Sequence, residues 1–162
     1  MTDVQGGDAF CRISRGEERA HVAYGDDKVM IILDRSPICR AHMLVISRDH
    51  YESVDSAPPD VVSRAFVVAA AAARYLRERL KAPGVNIVTN SGAQAGQAVF
   101  HFHVHVIPRW EDCPPPVFSD EGTNISRVAR RHRLTEDEAR EVLSDLSGLP
   151  DFIKVYVGVS NG

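Results

Sequence analysis

The stretch that decides the fold reads His-Phe-His-Val-His-Val-Ile and occupies residues 101–107. Histidines alternate with apolar residues, and a period of two is typical of a β-strand, in which positions i, i+2 and i+4 share one face. We therefore predict a strand over 99–107 that buries Phe102 and two valines. The opposite face of that strand then carries His101, His103 and His105 in a row.

Three aligned imidazoles are costly unless something uses them, because they titrate near about pH 6.5 and repel one another when protonated. Three interpretations stay open at this point. A neutral imidazole can attack phosphorus and form a covalent adduct while a neighbour assists the leaving group. The row can instead bind a metal ion, or it can be a solvated strand face without function.

The segment before this strand is small and polar. Asn90 to Gln97 reads Asn-Ser-Gly-Ala-Gln-Ala-Gly-Gln, which supplies backbone N–H groups and amide side chains of the kind that bind anionic oxygens. Beside the histidines this composition favours a phosphate-binding loop over an ordinary flexible turn. The chain has no GxxxxGK[ST] sequence, so the loop is not a P-loop.

The surrounding pattern predicts an α+β fold with an antiparallel sheet and one long helix. Gly25-Asp26-Asp27 is a turn signal between two short apolar runs, which together indicate a hairpin. The long helix shows apolar residues at helical spacing and ends before Pro83-Gly84. The predicted elements are strands His21–Tyr24, Lys28–Leu33, Met43–Ile46 and Val85–Thr89 and a helix over Asp60–Lys81.

The chain changes character after Pro108. Cys113-Pro-Pro-Pro116 interrupts regular structure, Asp120 to Asn124 is predicted as loop, and Ile125 to Arg133 as a short basic helix. The capping-box pattern Thr135-x-x-Glu138 predicts a helix to about Ser147, and Ile153 to Val159 is a possible last strand. We thus predict a flexible tail over 1–9, a domain over 10–112 and a C-terminal helical extension over 113–162.

Composition excludes several functional classes. The 162 residues include 19 basic and 22 acidic side chains, a net charge of -3, so no basic excess points to a nucleic-acid partner. The longest apolar stretch is too short to span a bilayer, and the polar N-terminus shows no signal peptide. Three cysteines in such a chain predict a reducing, cytoplasmic location, with Cys39 and Cys113 as unpaired thiols.

Residues 101–107 closely resemble the His-φ-His-φ-His-φ-φ pattern of the histidine triad (HIT) family, in which φ is apolar. The resemblance extends over about Phe10 to Trp110. The other segments that carry it are Phe10-Cys11-Arg-Ile13, Leu33-Asp34-x-Ser36-Pro37, His42-x-Leu-Val-Ile46-x-x-x-His50, Asn90-x-Gly92, Ala95-Gly96-Gln97 and Pro108-Arg109. Ala41 departs from the pattern, since glycine is common before that histidine.

This resemblance implies a HIT-like fold, usually a homodimer, that binds a purine nucleotide and cleaves it at the α-phosphate. It implies that His103 is the nucleophile, that His105 contacts the phosphate and assists the leaving group, and that His101 supports the orientation of His103. Hydrolysis of the nucleotidyl-histidine would release a nucleoside monophosphate. The substrate would be a purine nucleoside phosphoramidate or a dinucleoside polyphosphate such as diadenosine tetraphosphate.

The resemblance also implies a set of substrate contacts. Asn90 and Gln97 would bind phosphate oxygens, and Asp34 would hold the ribose hydroxyls. The alternative for Asp34 is a turn-forming aspartate before Ser-Pro. The base pocket would be lined by Phe10, Ile13 and Ile32.

A structural zinc ion is a further possibility, although the chemistry itself requires no cofactor. One bacterial branch of the family holds zinc with Cys-x-x-Cys and two histidines, whereas this chain has Asp8-x-x-Cys11. Aspartate also binds zinc. The possible ligands are therefore Asp8, Cys11, His50 and His101, and the alternative is a buried thiol beside a surface aspartate.

Two other functions stay open. In a phosphorylase or nucleotidyltransferase, phosphate or an alcohol would intercept the same adduct, and the transferase branch usually carries glutamine in place of His105. A non-enzymatic nucleotide-binding module would bind without turnover.

Overall fold

The computed structural model describes residues 7–113 and 132–159. Its centre is a five-stranded antiparallel sheet, as predicted, with strand order β1-β2-β3-β5-β4. The strands are β1 Val22–Gly25, β2 Val29–Leu33, β3 Met43–Ser47, β4 Val85–Val88 and β5 His103–Pro108. The helices are α1 Ala9–Ser14, α2 Pro59–Glu78, α3 Glu136–Asp145 and α4 Leu149–Val159.

The predicted hairpin between β1 and β2 turns around Asp26. One carboxylate oxygen of Asp26 accepts the backbone N–H groups of Lys28 at 2.8 Å and Val29 at 2.9 Å. The other accepts the hydroxyl of Tyr24 at 2.7 Å and the guanidinium of Arg64 in α2 at 2.8 Å. The turn that closes the hairpin therefore also attaches it to the long helix.

Helix α2 covers one face of the sheet and makes the main core. Alanines at its centre bring its backbone close to the strands, and proline at the first helical position costs no hydrogen bond. Val45, Val104 and Val106 are fully buried beneath it. This arrangement leaves the opposite face of the sheet, with β5 near its middle, available for a site.

The strand that carries the histidines is shorter than predicted. Regular pairing begins at His103 rather than at Val99, so His101 precedes the strand. His101 is fully buried, whereas His103 and His105 are half-buried on the strand face. The predicted row of three equivalent imidazoles is therefore wrong, and the site contains a pair plus one buried neighbour.

The predicted last strand is also wrong, because Ile153 to Val159 lies within helix α4. Ile153 is fully buried, whereas Val155 is 68% exposed. In a strand these two side chains would point to the same face and would be buried together. Packing of α4 against α2, including the ring contact of Tyr75 with Phe152, overrides the β-propensity of its branched residues.

The capping box before α3 is confirmed, since the Thr135 hydroxyl accepts the Glu138 N–H at 3.1 Å and the Glu138 carboxylate reaches back. The predicted loop at 120–124 lies outside the described residues, as does nearly all of the predicted basic helix at 125–133. So do residues 1–6 of the predicted tail, while Asp8 caps α1 by accepting the Cys11 N–H. No helix in 7–113 or 132–159 combines the length and apolar character that crossing a bilayer demands.

Cys39 and Cys113, 74 positions apart in sequence, form a disulfide, with Cα atoms 5.5 Å apart. The prediction that both are unpaired thiols is therefore wrong. Nothing in the spacing of the two cysteines signals the contact, because it depends on how the segment after β5 returns to the loop between β2 and β3. Cys11 is buried and is the one free thiol.

Candidate active site

A cavity of about 1100 Å³ opens on the sheet face opposite α2. His103 and His105 line its middle, and the apolar residues of α1 and β2 line one end. The sequence-predicted substrate contacts all reach this cavity; they are Phe10, Ile13, Ile32, Asp34, Asn90 and Gln97. The antiparallel sheet thus gathers segments that are far apart in the chain around two imidazoles.

The tautomer of His103 follows from its hydrogen bond. Its Nδ1 lies 2.7 Å from the backbone carbonyl oxygen of His101, and a carbonyl can only accept, so Nδ1 carries the proton. Nε2 then holds a lone pair. Burial lowers the pKa of His103 below its ordinary value, although the bond to the His101 carbonyl opposes the shift. A neutral imidazole with Nε2 as its basic atom is a nucleophile.

The tautomer of His105 is fixed by a chain of hydrogen bonds. The backbone N–H of Ile38 donates to Nδ1 of His42 at 3.1 Å, so the proton of His42 lies on Nε2. That Nε2 is 2.9 Å from Nδ1 of His105, which must accept. A neutral His105 therefore carries its proton on Nε2. His42, which is almost fully buried, is a site residue to which the sequence analysis assigned no role.

His103 and His105 lie side by side in the cavity with complementary protonation. Their ring centroids are 5.0 Å apart, and the rings meet edge to face. His103 has a lone pair on Nε2 where neutral His105 has an N–H. Such a pair can attack an electrophile with one ring and donate a hydrogen bond to the departing atom with the other.

Asp34 begins the loop between β2 and β3, residues 34–42, which we call the Asp34 loop. One carboxylate oxygen accepts the Ser36 N–H at 2.8 Å, which is the turn-forming interaction considered as the alternative role. The other lies 3.5 Å from Nε2 of His42. The carboxylate also lines the cavity, so turn formation and a substrate contact are compatible.

Ala41, next to last in the Asp34 loop, lies in the left-handed region with φ of 66°. An L-residue pays a steric cost there that glycine avoids. This explains in physical terms why glycine is favoured before His42, and why the alanine is a departure. The loop holds this conformation because neighbouring groups fix both of its ends.

The polar loop before β5 is built around Gln97. Its side-chain oxygen accepts the Gly92 N–H at 2.8 Å, and its amide nitrogen donates to the carbonyl of Glu52 at 2.6 Å and of Val99 at 3.1 Å. The Gln97 side chain therefore holds the loop in place by hydrogen bonds and also lines the cavity. Asn90 lines the same wall beside Gly96, whose φ of 95° requires glycine.

The apolar end of the cavity is a small second core. Phe10, Ile13 and Ile32 pack together with residues of β2 and β3. The Phe10 ring meets the ring of His103 edge to face, with centroids 5.2 Å apart. A flat aromatic group bound here would lie next to His103.

Asp8, Cys11, His50 and His101 cluster at the edge of the site, with one potential ligand atom from each within 4.8 Å of all the others. Nε2 of His101 lies 2.6 Å from the carbonyl oxygen of Ser47 and must donate to it, so a neutral His101 has its lone pair on Nδ1, facing the cluster. A protonated His101 would instead donate from Nδ1 to the Asp8 carboxylate, which lies 3.2 Å away. The Cys11 sulfur is 3.4 Å from that Nδ1 and 3.5 Å from Nδ1 of His50. One carboxylate, one thiol and two imidazoles fit a tetrahedral zinc ion.

The electrostatics of this cluster depend on the acid and the thiol together. Burial alone would raise the pKa of Asp8, but the Cys11 N–H and the nearby His101 hold it below its ordinary value. Burial and the Asp8 carboxylate raise the pKa of the Cys11 thiol. A bound metal would have to displace the thiol proton, so binding would release a proton.

Other cavity residues carry no signal that sequence reasoning used, among them Leu134 and Glu136 of the C-terminal extension and Asn86 of β4. The guanidinium of Arg109 donates to the Asn86 side chain at 2.7 Å. Arg109 stands in the Pro-Arg flank of the motif, but the extension has no comparable marker.

Comparisons with known proteins agree with this geometry. The family model for the HIT domain matches residues 15–112. Adenylylsulfatase HINT3 of Arabidopsis thaliana is 35% identical over 137 residues, which cover 83% of this chain and 65% of that protein.

Two solved structures share the fold. A hypothetical histidine triad nucleotide-binding protein from Sulfolobus tokodaii is 28% identical with a TM-score of 0.69, over 91% of this chain and 92% of its own. A Zn-bound histidine triad family protein from Mycobacterium smegmatis is 34% identical with a TM-score of 0.67, over 86% and 93%. The family model, the relatives and the fold together show that this chain belongs to the histidine triad family.

Proposed function

We propose that the protein hydrolyses a purine nucleoside phosphoramidate or dinucleoside polyphosphate at the α-phosphate and releases a nucleoside monophosphate. The observation that carries this proposal is the complementary protonation of His103 and His105 in one cavity. Family membership supports a nucleotide-binding hydrolase or transferase, and the geometry at the two histidines supports attack at phosphorus.

In the first step, Nε2 of His103 forms a bond to the α-phosphorus, and the bond from phosphorus to the leaving atom breaks. The imidazole of the adduct is cationic, and its Nδ1–H stays bonded to the His101 carbonyl, which stabilises that charge. His105 donates a hydrogen bond from Nε2 to the leaving atom. That atom departs with the electron pair of the broken bond and takes its proton from water.

In the second step, water attacks the α-phosphorus of the nucleotidyl-histidine. The P–N bond breaks, its electron pair returns to Nε2, and His103 leaves as the neutral imidazole from which it started, while the attacking water loses a proton to solvent. Asp34 would hold the ribose, the loop from Asn90 to Gln97 the phosphate oxygens, and the apolar end of the cavity the base. These assignments follow the resemblance and agree with the positions of the side chains.

We also propose a structural zinc ion held by Asp8, Cys11, His50 and His101. The donor set and the tautomer of His101 support it, and a histidine triad relative of known structure is Zn-bound. When bound, zinc would tie α1, which carries the base-pocket residues, to the segment that precedes the triad strand. It takes part in neither chemical step.

The test compares wild-type protein, His103→Ala and a matched control, His132→Ala, which replaces an exposed histidine outside the cavity. The substrates are an adenosine 5′-phosphoramidate, diadenosine tetraphosphate and, because one relative is named an adenylylsulfatase, adenylyl sulfate. We expect chromatography to show AMP from wild type and His132→Ala, and none from His103→Ala. Equal turnover by all three proteins would refute the proposed nucleophile.

Adding inorganic phosphate to the same assay separates hydrolase from phosphorylase, since ADP would appear if phosphate intercepted the adduct. Binding of AMP without turnover by wild type would indicate a binding module. We further propose a homodimer, as the resemblance implies, and a cytoplasmic location. Light scattering after gel filtration measures the mass of the homodimer. Strand β4 is an edge of the sheet, and its Ile87 is 39% exposed. A strand of a second copy of the chain could therefore pair with β4 and extend the sheet across the dimer.

A further inference from the structure

We propose that Cys39 and Cys113 form a thiol–disulfide exchange site, that its co-substrate is a dithiol reductant, and that its redox state controls the order of the Asp34 loop. The proposal rests on the nucleotide site proposed above only for its functional consequence. The exchange itself involves neither His103 nor the metal cluster.

The disulfide joins two segments that matter for the cavity. Cys39 lies inside the Asp34 loop, between Asp34 and His42. Cys113 lies in the segment that follows β5. The bond therefore fixes the loop that carries the predicted ribose ligand to the segment that follows the strand of His103 and His105.

Further contacts tie the same loop to the C-terminal part of the chain. The indole nitrogen of Trp110 donates to the Arg40 carbonyl at 2.8 Å, and Arg40 pairs with Asp145 of α3 at 2.6 Å. The Leu134 N–H donates to the Arg35 carbonyl at 2.7 Å. Of these connections, the disulfide alone is covalent and chemically reversible.

The surroundings of the sulfurs favour exchange. One guanidinium nitrogen of Arg109 donates to the Cys39 sulfur at 3.7 Å and to the Cys113 sulfur at 3.5 Å. A cation beside a cysteine stabilises the thiolate, which makes it a better leaving group in exchange. Cys113 is half-buried and Cys39 is buried, so an incoming thiolate reaches Cys113 first.

Reduction of the disulfide by a dithiol takes two exchange steps. In the first, a thiolate of the reductant attacks the Cys113 sulfur, the Cys39–Cys113 bond breaks, and Cys39 leaves as a thiolate beside Arg109. The second thiolate of the reductant attacks its own sulfur in the mixed disulfide and releases Cys113. The reductant leaves oxidised, and the two cysteines take up protons from water. In a reducing compartment such a disulfide is expected to be transient and regulatory.

Reduction would release the covalent connection of the Asp34 loop. If the released loop holds its binding arrangement about one tenth of the time, the apparent Kd for a nucleotide rises about tenfold. The single tryptophan of the chain, Trp110, lies between the two segments and reports the change by fluorescence.

The experiment compares oxidised and dithiothreitol-reduced full-length protein. Peptide-level alkylation shows whether Cys39 and Cys113 are paired and distinguishes both from Cys11. Hydrogen exchange follows the amides of residues 34–42, Trp110 fluorescence follows the contact with Arg40, and AMP titration gives the Kd. We expect pairing under oxidising conditions, and after reduction faster exchange in residues 34–42, a changed Trp110 spectrum and weaker AMP binding.

Two variants complete the test. Cys39→Ser with Cys113→Ser should reproduce the reduced state in either buffer, and Arg109→Leu should slow reduction by dithiothreitol relative to Arg109→Lys. Alkylation of both cysteines under oxidising conditions would overturn the proposal, as would unchanged exchange in residues 34–42 between the two states. Loss of AMP release with intact redox behaviour would instead overturn only the proposed hydrolase.

Discussion

His42 donates from Nε2 to Nδ1 of His105 across 2.9 Å, and the backbone N–H of Ile38 leaves His42 no other tautomer. A fully enclosed imidazole therefore decides where the proton of a cavity imidazole lies. Because Ile38 belongs to the Asp34 loop, the conformation of that loop also governs which ring nitrogens of His42 and His105 carry protons.

This relationship predicts the effect of replacing His42. We expect His42→Leu to lower kcat roughly 10- to 100-fold, somewhat less than the 10²- to 10⁴-fold typical of a proton-transfer group. His42→Gln should retain more activity, because its amide can donate to His105. The AMP Kd and the pH profile are measured in parallel, since a purely structural defect would move Kd and leave the profile unchanged. Equal kcat in both variants and wild type would contradict the prediction.

The lowered pKa of His103 predicts the acid side of the pH profile. The nucleophile acts in its neutral form, so kcat/KM falls as pH drops through its pKa, which burial places below the ordinary value of 6.5. We therefore expect activity to persist at about pH 6.5 and to decline only below it. Phe10→Ala should admit water to His103 and move the decline to higher pH, while Val22→Ala, on an exposed side chain, should not. A wild-type decline centred above pH 6.5 would count against a buried nucleophile.

The metal cluster predicts stabilisation by zinc. We expect one zinc ion per chain by mass spectrometry and a drop in Tm on chelation, since a ligand at about 100 times its Kd stabilises by about 2.7 kcal/mol. Zinc affinity should rise with pH, because the Cys11 thiol, with its raised pKa, must lose a proton to bind.

Two variants check the zinc prediction. Asp8→Asn keeps a side-chain oxygen that can cap α1 but loses the negative charge, so it should weaken zinc binding. The control is Asp49→Asn, which removes an exposed carboxylate next to His50 in sequence and should leave zinc binding unchanged. Identical zinc content and Tm for Asp8→Asn and wild type would show that the carboxylate is not a ligand.

The helical structure of α4 predicts that two substitutions, at Ile153 and Val155, change the free energy of unfolding by unequal amounts. In a strand the two changes would be similar. Ile153→Ala removes a fully buried side chain and should lower the free energy of unfolding by about 2–5 kcal/mol. Val155→Ala, at a position 68% exposed, should change it by less than about 0.5 kcal/mol. Urea denaturation measures both, and comparable losses would place the two side chains on one buried face, as in a strand.

The sequence predicted those parts of the fold that depend on local pattern. Alternation located the pairing of β5, helical spacing located α2, and the Gly25-Asp26-Asp27 turn located the hairpin. The predicted substrate contacts share one cavity because their segments follow the family order. Each of these signals is carried by residues close together in the chain.

The parts that failed depend on distant contacts. Ile153 to Val159 has the composition of a strand, but α2 offers α4 an apolar face that only a helix can match. The disulfide joins residues 74 apart, and the protonation of His105 depends on an N–H from a different loop. No local pattern encodes these pairings, since each exists only after the sheet has formed.

The left-handed backbone at Ala41 has a consequence for substrate recognition. The Asp34 loop accepts a conformation that alanine disfavours, so its shape is imposed by the folded protein and does not wait for a ligand. The entropy of ordering Asp34 and His42 is then lost once, during folding, rather than at every encounter with a nucleotide. Because of this preorganisation, the affinity for a nucleotide depends on the contacts that hold the Asp34 loop in place, including the disulfide at Cys39.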